Sequence, residues 1–331
     1  MNSHSAAGTS IAEIDDRQTQ PTTFAVAGED GARLLVNRWL PSAPPKAVVQ
    51  IAHGLAEHAG RYHRLATMLT ANGYAVYAND HRGHGRTATR PGDQGFFAER
   101  DGWNKCVGDL WRLHQQVSAD HRGRPVILIG HSMGSFLAQD FITRHGAALA
   151  GVVLSGSAGA PNALVAVARL IARLERLRLG ARGKSGLMRT IAFAPYSWQF
   201  RPVRTPYDWL SRDSAEVDRY IADPLCGFLP SAQLWIDLLD ALGPIADPGR
   251  QRRIPKELPI YVLAGDRDPV SDNTKSLQQL VNAYRRAGLA QVTCKFYAGG
   301  RHNMFDETNR AEVVRDLLAW MERLTASASA P

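Results

Sequence analysis

The sequence predicts an α/β fold: a mostly parallel sheet with helices on both faces and an inserted helical cap. Three observations predict it. Short apolar runs alternate with longer helical patterns. The runs are apolar almost throughout, as strands covered on both faces are. The alternation then stops between 157 and 235 and resumes.

In chain order, residues 1–21 are polar, with Glu13, Asp15 and Asp16 and no apolar centre, which reads as a flexible leader and not a secretory signal. Residues 22–40 form an antiparallel hairpin turning at Gly28–Gly31. AVVQIAH (47–53), YAVYAND (74–80), PVILIG (125–130), AGVVLSG (150–156), PIYVLAG (259–265) and VTCKFYAG (292–299) read as strands. Helical patterns occupy 61–72, 101–120, 133–145, 273–287 and 309–324. The core therefore spans 22–156 and 236–325, and the tail 326–331 is expected to be disordered. Residues 157–235 read as a cap over the carboxyl ends of the strands, where open α/β sheets bind ligands.

Composition excludes several function classes. With 331 residues, 44% hydrophobic and 21% charged, the chain is of the soluble globular type. The net charge of +8 comes from 33 arginines and 6 lysines scattered from Arg17 to Arg323 without a nucleic-acid-binding motif, so no nucleic-acid partner is expected. Cys106, Cys226 and Cys294 lie far apart without a CxxC pair, which fits a reduced, cytoplasmic protein with no disulfide frame or zinc site. Residues 145–168 lack Asp, Glu, Lys and Arg, yet Gly151, Gly156, Gly159 and Pro161 break the run, so a strand, loop and helix fit better than a membrane span.

The chemistry starts at Gly130-His131-Ser132-Met133-Gly134, a G-x-S-x-G sequence between an apolar strand and a helix. A serine there sits on a tight strained turn, and side chains two residues to either side would collide with it. The turn lifts the Ser132 hydroxyl to the positive end of the helix. A serine that merely caps the helix is the plain alternative, but the strand–turn–helix context favours a nucleophile.

A serine hydroxyl needs a base. After Ser132 only His145 and His302 remain, and His145 ends the same helix about 20 Å away at 1.5 Å per residue. His302, in the loop AGGRHNMF, is the expected base. Its acid comes from LAGDRDPVSD (263–272): Asp272 opens the next helix, and Asp266 is close enough to the strand end to bond its own turn. Asp268 is the choice, with Asp266 in reserve. Negative charge on the carbonyl oxygen calls for two N–H donors: Met133, and Leu55 in the loop HGLAEHAGRY. Asp80, His81 and His84 in NDHRGHGRT lack a distant fourth ligand, so a hydrogen-bonded loop is expected there and no metal.

HGLAEHAGRY (53–62), NDHRGHGRT (79–87), GHSMGS (130–135), GDRDPVSD (265–272) and GGRHNMFDETNR (299–310) together resemble the monoacylglycerol lipase and lysophospholipase branch of the α/β hydrolases, including bacterial members filed with serine aminopeptidases. The resemblance covers roughly 22–325. It implies the α/β-hydrolase fold, Asp268 as the acid, Glu57 and Arg61 as polar contacts for the alcohol end of the substrate, and no cofactor. One departure is Phe305, where the animal monoacylglycerol lipases carry a second histidine. The implied activity is serine carboxylic-ester hydrolysis of a small acyl ester, a monoacylglycerol or lysophospholipid. The rivals are an aminopeptidase of the proline iminopeptidase type, which usually carries tryptophan where this chain has Met133, and a non-enzymatic binding protein of the same fold.

In the cap, Leu164, Val167, Ile171, Leu174 and Leu177 recur at helical spacing, with Arg169, Arg173 and Arg176 on another face. The plain expectation packs the apolar stripe on the core and leaves the arginines in water. The alternative is peripheral contact with an anionic membrane surface. Eight aromatics lie between Phe193 and Phe228, enough to line a channel for an acyl chain.

Overall fold

A computed structural model describes residues 20–90 and 92–327. Eight strands form one sheet: β1 (Thr22–Ala27), β2 (Arg33–Trp39), β3 (Ala47–Ala52), β4 (Tyr74–Asn79), β5 (Val126–His131), β6 (Gly151–Ser155), β7 (Ile260–Gly265) and β8 (Val292–Tyr297). Their order is β1-β2-β4-β3-β5-β6-β7-β8. β1 pairs antiparallel with β2 and β2 with β4, and every later pairing is parallel. Because β3 to β8 run parallel, their carboxyl ends open on one rim, and the strand order reverses after β3.

The helices are α1 (His63–Ala71), α2 (Gly102–Asp120), α3 (Met133–His145), α4 (Ala163–Leu179), α5 (Gly186–Trp198), α6 (Ser214–Ala222), α7 (Ala232–Ala246), α8 (Pro248–Gln251), α9 (Lys275–Arg286) and α10 (Arg310–Ser327). The two-residue period of a strand divides the core into two layers. Val48, Leu128, Val152 and Val262 face α2, α3 and α9, whereas Val49, Ile127, Val153 and Leu263 face α1 and α10. Central strands β3 to β7 are buried at every residue, which is why they are apolar without alternation.

Between β6 and β7 stand α4 to α8. The expected cap boundary at 235 falls inside α7, and α10 continues to Ser327, past the expected start of the tail at 326. The expected leader lies outside the described residues but for Gln20 and Pro21.

The plain expectation for the cap stripe is corrected. Leu164, Val167, Leu174 and Leu177 are 73%, 54%, 56% and 80% exposed, joined by Leu170 at 59%. The helix instead turns Val165, Ala168, Ile171 and the fully buried Ala172 towards the core. Small side chains let α4 lie close against α7, and Arg169 and Arg173 close the seam on Asp240 of that helix. Spacing gave the direction of an apolar face; it could not tell which of two apolar faces the neighbouring helix would take.

Leu128, at 0% exposure in the middle of the sheet, tests this packing. Leu128→Ala should lower unfolding free energy by roughly 2–5 kcal/mol in denaturant titration, as buried leucine truncations do.

Candidate active site

Ser132 follows β5 and opens α3 with φ 51° and ψ −121°, a conformation that costs a non-glycine residue backbone strain. Its N–H is fixed on the Ser155 carbonyl at 2.9 Å, at the end of the neighbouring strand. Gly130 and Gly134 make the turn possible. A Cβ on Gly130 would overlap the Gly134 carbonyl, and one on Gly134 would overlap the Ala52 carbonyl at the end of β3.

His302 and Asp268 meet in the buried interior behind this turn, at 2% and 0% exposure. His302 Nδ1 lies 3.0 and 3.1 Å from the two Asp268 carboxylate oxygens. A carboxylate accepts, so Nδ1 donates and Nε2 is the free ring nitrogen. The reserve residue Asp266 is spent elsewhere: its Oδ1 accepts the Gly299 N–H at 2.8 Å and so closes the loop that carries His302. Ser132 and His302 line the same cavity, of about 240 Å³. His145 packs flat on Trp111, at a ring separation of 4.2 Å.

Leu55 lines that cavity, and Met133 follows the cavity-lining Ser132 as the first residue of α3. Neither backbone N–H has a protein acceptor among the described residues. For Met133 this follows from its place in the first turn, where no intrahelical partner exists.

Glu57 and Arg61 stand side by side, but only Glu57 reaches the main cavity. Both line a smaller polar recess behind it, shared with Tyr62, His131, Asn303, Phe305 and Asp306. Glu57 Oε1 accepts the Gly54 N–H at 2.5 Å and the Tyr62 hydroxyl at 2.8 Å. Burial pushes the Glu57 carboxyl up, but His131, Arg61 and these donors outweigh it and hold it below the usual value. Arg61 is clamped by Asp306 at 3.0 Å and Glu57 at 3.6 Å. Burial pushes Asp306 up in spite of that arginine.

Four functional neighbours were not singled out in the sequence. His131 places Nε2 2.9 Å from Asn303 Oδ1 and its ring 4.8 Å from that of His302. Trp209 of the cap covers His302 at 5.0 Å between ring centroids. Tyr220, also of the cap, lines the cavity with Phe193, Tyr207 and Phe228. His131 and Asn303 adjoin Ser132 and His302 in sequence, a signal that adjacency offered; the cap aromatics carried none beyond their abundance.

The NDHRGHGRT segment forms the floor beside the Leu55 loop. Asp80 accepts the N–H groups of Ala59 at 2.8 Å and Arg86 at 2.7 Å. His81 N–H donates to His53 Nε2 at 3.0 Å, and His84 Nδ1 pairs with the Arg82 carbonyl at 2.8 Å. These are the hydrogen bonds of a folded loop. His53, His81 and His84 are nevertheless unusual as a group: three buried imidazoles, with ring centroids 4.2 and 5.2 Å from His53. Burial holds all three neutral, aided for His53 and His81 by repulsion from their histidine neighbours: His81 is pushed down to about 3, His84 to about 4, and His53 well below its usual value.

Comparison with known proteins adds the following. Residues 43–309 match the family described as serine aminopeptidase, S33. The chain is 32% identical over 303 residues to a monoacylglycerol lipase of Mycolicibacterium smegmatis, covering 89% of this chain and 95% of that one. It is 28% identical to the human monoglyceride lipase, covering 90% of each. In structure it is similar to a thermostable carboxyl esterase from Bacillus coagulans, with TM-score 0.85 at 24% identity, over 92% of this chain and 99% of that one.

The neutral histidines set a pH dependence. Unfolded, each takes up a proton near its ordinary value of 6.5; folded, His81 and His84 do so only near 3 and 4. Their stability contribution is complete above pH 6.5 and is lost as pH falls towards 4, by about 1.4 kcal/mol per pH unit for each histidine. Urea midpoints measured from pH 7 to 4.5 should fall steadily; a level profile would contradict the neutral assignment.

Proposed function

The chain belongs to the serine aminopeptidase (S33) family and is a serine ester hydrolase, and from that premise we propose that it cleaves monoacylglycerols or lysophospholipids through an acyl-enzyme on Ser132. The observation that carries the reading is the buried Asp268–His302 pair, with Nδ1 turned to the carboxylate and His302 lining one apolar cavity with Ser132. His302 Nε2 takes the Ser132 proton as Oγ attacks the acyl carbonyl. Asp268 fixes the tautomer and stabilises the imidazolium. The Leu55 and Met133 N–H groups receive the oxyanion, each worth about 2.7–4 kcal/mol of transition-state stabilisation. His302 then protonates the departing alcohol, and a water activated by the same imidazole releases the fatty acid.

The cavity divides the substrate. Phe193, Trp209, Leu210 and Phe228 give an apolar wall suited to an acyl chain. Glu57, His131 and Asn303, at the polar end of the cavity, suit the hydroxyls of the alcohol end, with Arg61 held behind them in a recess of about 10 Å³ between Glu57 and Asp306. The monoacylglycerol lipase names of the relatives agree with this division. Phe305 stands in the recess and narrows its polar lining on one side.

The division into hydrolase core and cap belongs to the same proposal, because the cap supplies the acyl wall. The exposed leucines of α4 fit contact with a lipid surface, and Arg176 and Arg178 on the same helix fit one of anionic charge. No helix of the described residues is long and apolar enough to cross a membrane, so the contact would be peripheral. Three free cysteines accord with a reducing compartment.

Two experiments test these readings. On a panel of monoacylglycerols, lysophospholipids and short aryl esters, Ser132→Ala and His302→Ala should each lose at least roughly a thousandfold in kcat; equal turnover by the alanine variants would remove the mechanism. Leu170→Glu and Leu174→Glu together should weaken sedimentation with anionic vesicles by about tenfold or more, since burying each leucine is worth roughly 1.5–3 kcal/mol. Hydrolysis of a soluble short ester should stay unchanged, and unchanged sedimentation would remove the docking reading.

A further inference from the structure

The direction of an oxyanion donor depends on the peptide that carries it. The Leu55 N–H belongs to the Gly54–Leu55 peptide, which is planar and trans, so the N–H points opposite to the Gly54 carbonyl. That carbonyl pairs with His53 Nδ1 at 2.8 Å. Because His53 Nε2 accepts from the His81 N–H at 3.0 Å, Nδ1 carries the proton and donates to the carbonyl. The Gly54 N–H is held by Glu57. The core thus grips the loop before Leu55.

The loop after Leu55 is gripped by the cap. Ala56 has φ 56°, a left-handed backbone that an alanine does not hold without support. Its carbonyl accepts two hydrogen bonds, from the Tyr220 hydroxyl at 2.9 Å and from the Gly227 N–H at 2.9 Å. Both donors come from the cap. Tyr220 is 7% exposed, and the Arg61 guanidinium lies 5.2 Å from its ring centroid. A third tie runs from His58 Nε2 to Asp223 Oδ2 at 2.8 Å. The same half of the cap holds the loop of the base, where the Asn303 N–H donates to the Leu210 carbonyl at 2.7 Å.

We propose that this half of the cap is a working part of the oxyanion site, with Tyr220 as the positioning residue that holds Ala56 and thereby aims the Leu55 N–H. The inference rests on the reading of Leu55 as an oxyanion donor. Without the Tyr220 hydroxyl, Ala56 keeps only the Gly227 bond against its strained backbone. The Leu55 N–H then drifts from the place where charge develops, while a phenylalanine keeps the ring by which residue 220 lines the cavity. Transition-state binding weakens and ground-state binding does not.

The test is Tyr220→Phe, with active sites counted from the burst of a p-nitrophenyl ester so that only folded enzyme is compared. An alkyl boronic acid reports the oxyanion site: Ser132 Oγ bonds to boron, its proton passes to His302, and the tetrahedral boronate places an anionic oxygen between Leu55 and Met133. An alkylglycerol ether, which cannot react, reports ground-state binding. Expected are falls of about tenfold in kcat and in boronate affinity together, with KM and ether affinity unchanged. Unchanged kcat and boronate affinity, or equal loss of both ligands, overturns the proposal. If the variant does not fold, hydrogen exchange on the wild-type chain decides. Boronate should slow exchange in residues 220–228 and the ether should not; exchange there that ignores boronate overturns the coupling. A wild-type enzyme that forms no boronate adduct and turns over no ester would remove the hydrolase reading and this proposal with it.

Discussion

The close approach of α3 to β3 and β5 is the constraint from which the site follows. At Gly134 the helix passes so near the Ala52 carbonyl that no side chain fits, and at Gly130 the strand passes as near the helix. This crowding forces Ser132 into its strained turn and brings the end of β5 against the loop that follows β3. Met133 N–H and the Leu55 loop can face one point only because those two strands are neighbours.

Charge is arranged around that point by exclusion as much as by pairing. His302 sits between a carboxylate at 3.0 Å and the neutral His131 ring, which burial and then His302 itself push down to about 4. A second cation so near would oppose imidazolium formation in the base, so a neutral His131 serves the chemistry as well as the packing. The His53, His81 and His84 group extends the same rule to the oxyanion loop. The His53 and His84 imidazoles each offer a donor or acceptor that a backbone group uses, the His81 ring faces the Asn79 amide at 3.4 Å, and none brings a charge. Neutral rings of this kind supply directional hydrogen bonds at little electrostatic cost, though they tie the loop to a pH at which they stay neutral.

The sequence revealed most where local geometry and chemistry coincide. Gly130 and Gly134 are needed by the turn itself, so they were visible without a fold. The strands were visible because full burial removes alternation. Among the three aspartates of 263–272 the choice was harder, because each follows a strand end. In the structure the Gly299 N–H engages Asp266, and Asp268 is the one that meets His302. The cap was the least legible part. Its helix α4 has two apolar faces, and the one with Ala168 and Ala172 packed inward because α7 offered a close seam with Asp240 for the arginines. Partners such as His131 and Asn303 are separated by 172 positions, and no local pattern records that kind of contact.

The cap also divides by what it touches. Helix α4 rests on α7 and leaves its leucines in solvent, whereas residues 207–228 are tied to core loops through Arg212–Glu307, Arg64–Glu216 and the Ala56 carbonyl. The lipid contact proposed for α4 and the positioning proposed for Tyr220 make opposed demands, and they fall on separate segments. A surface that meets lipid gains from exposed apolar area, which costs a protein in water; a surface that aims catalytic groups gains from buried, paired contacts. Placing both on one helix would let each lipid encounter disturb the oxyanion loop. With α4 outermost and Tyr220 innermost, the two are joined only through the rest of the cap, where α5 lines the cavity with Phe193 and Ser197 and stacks Phe193 on Trp209.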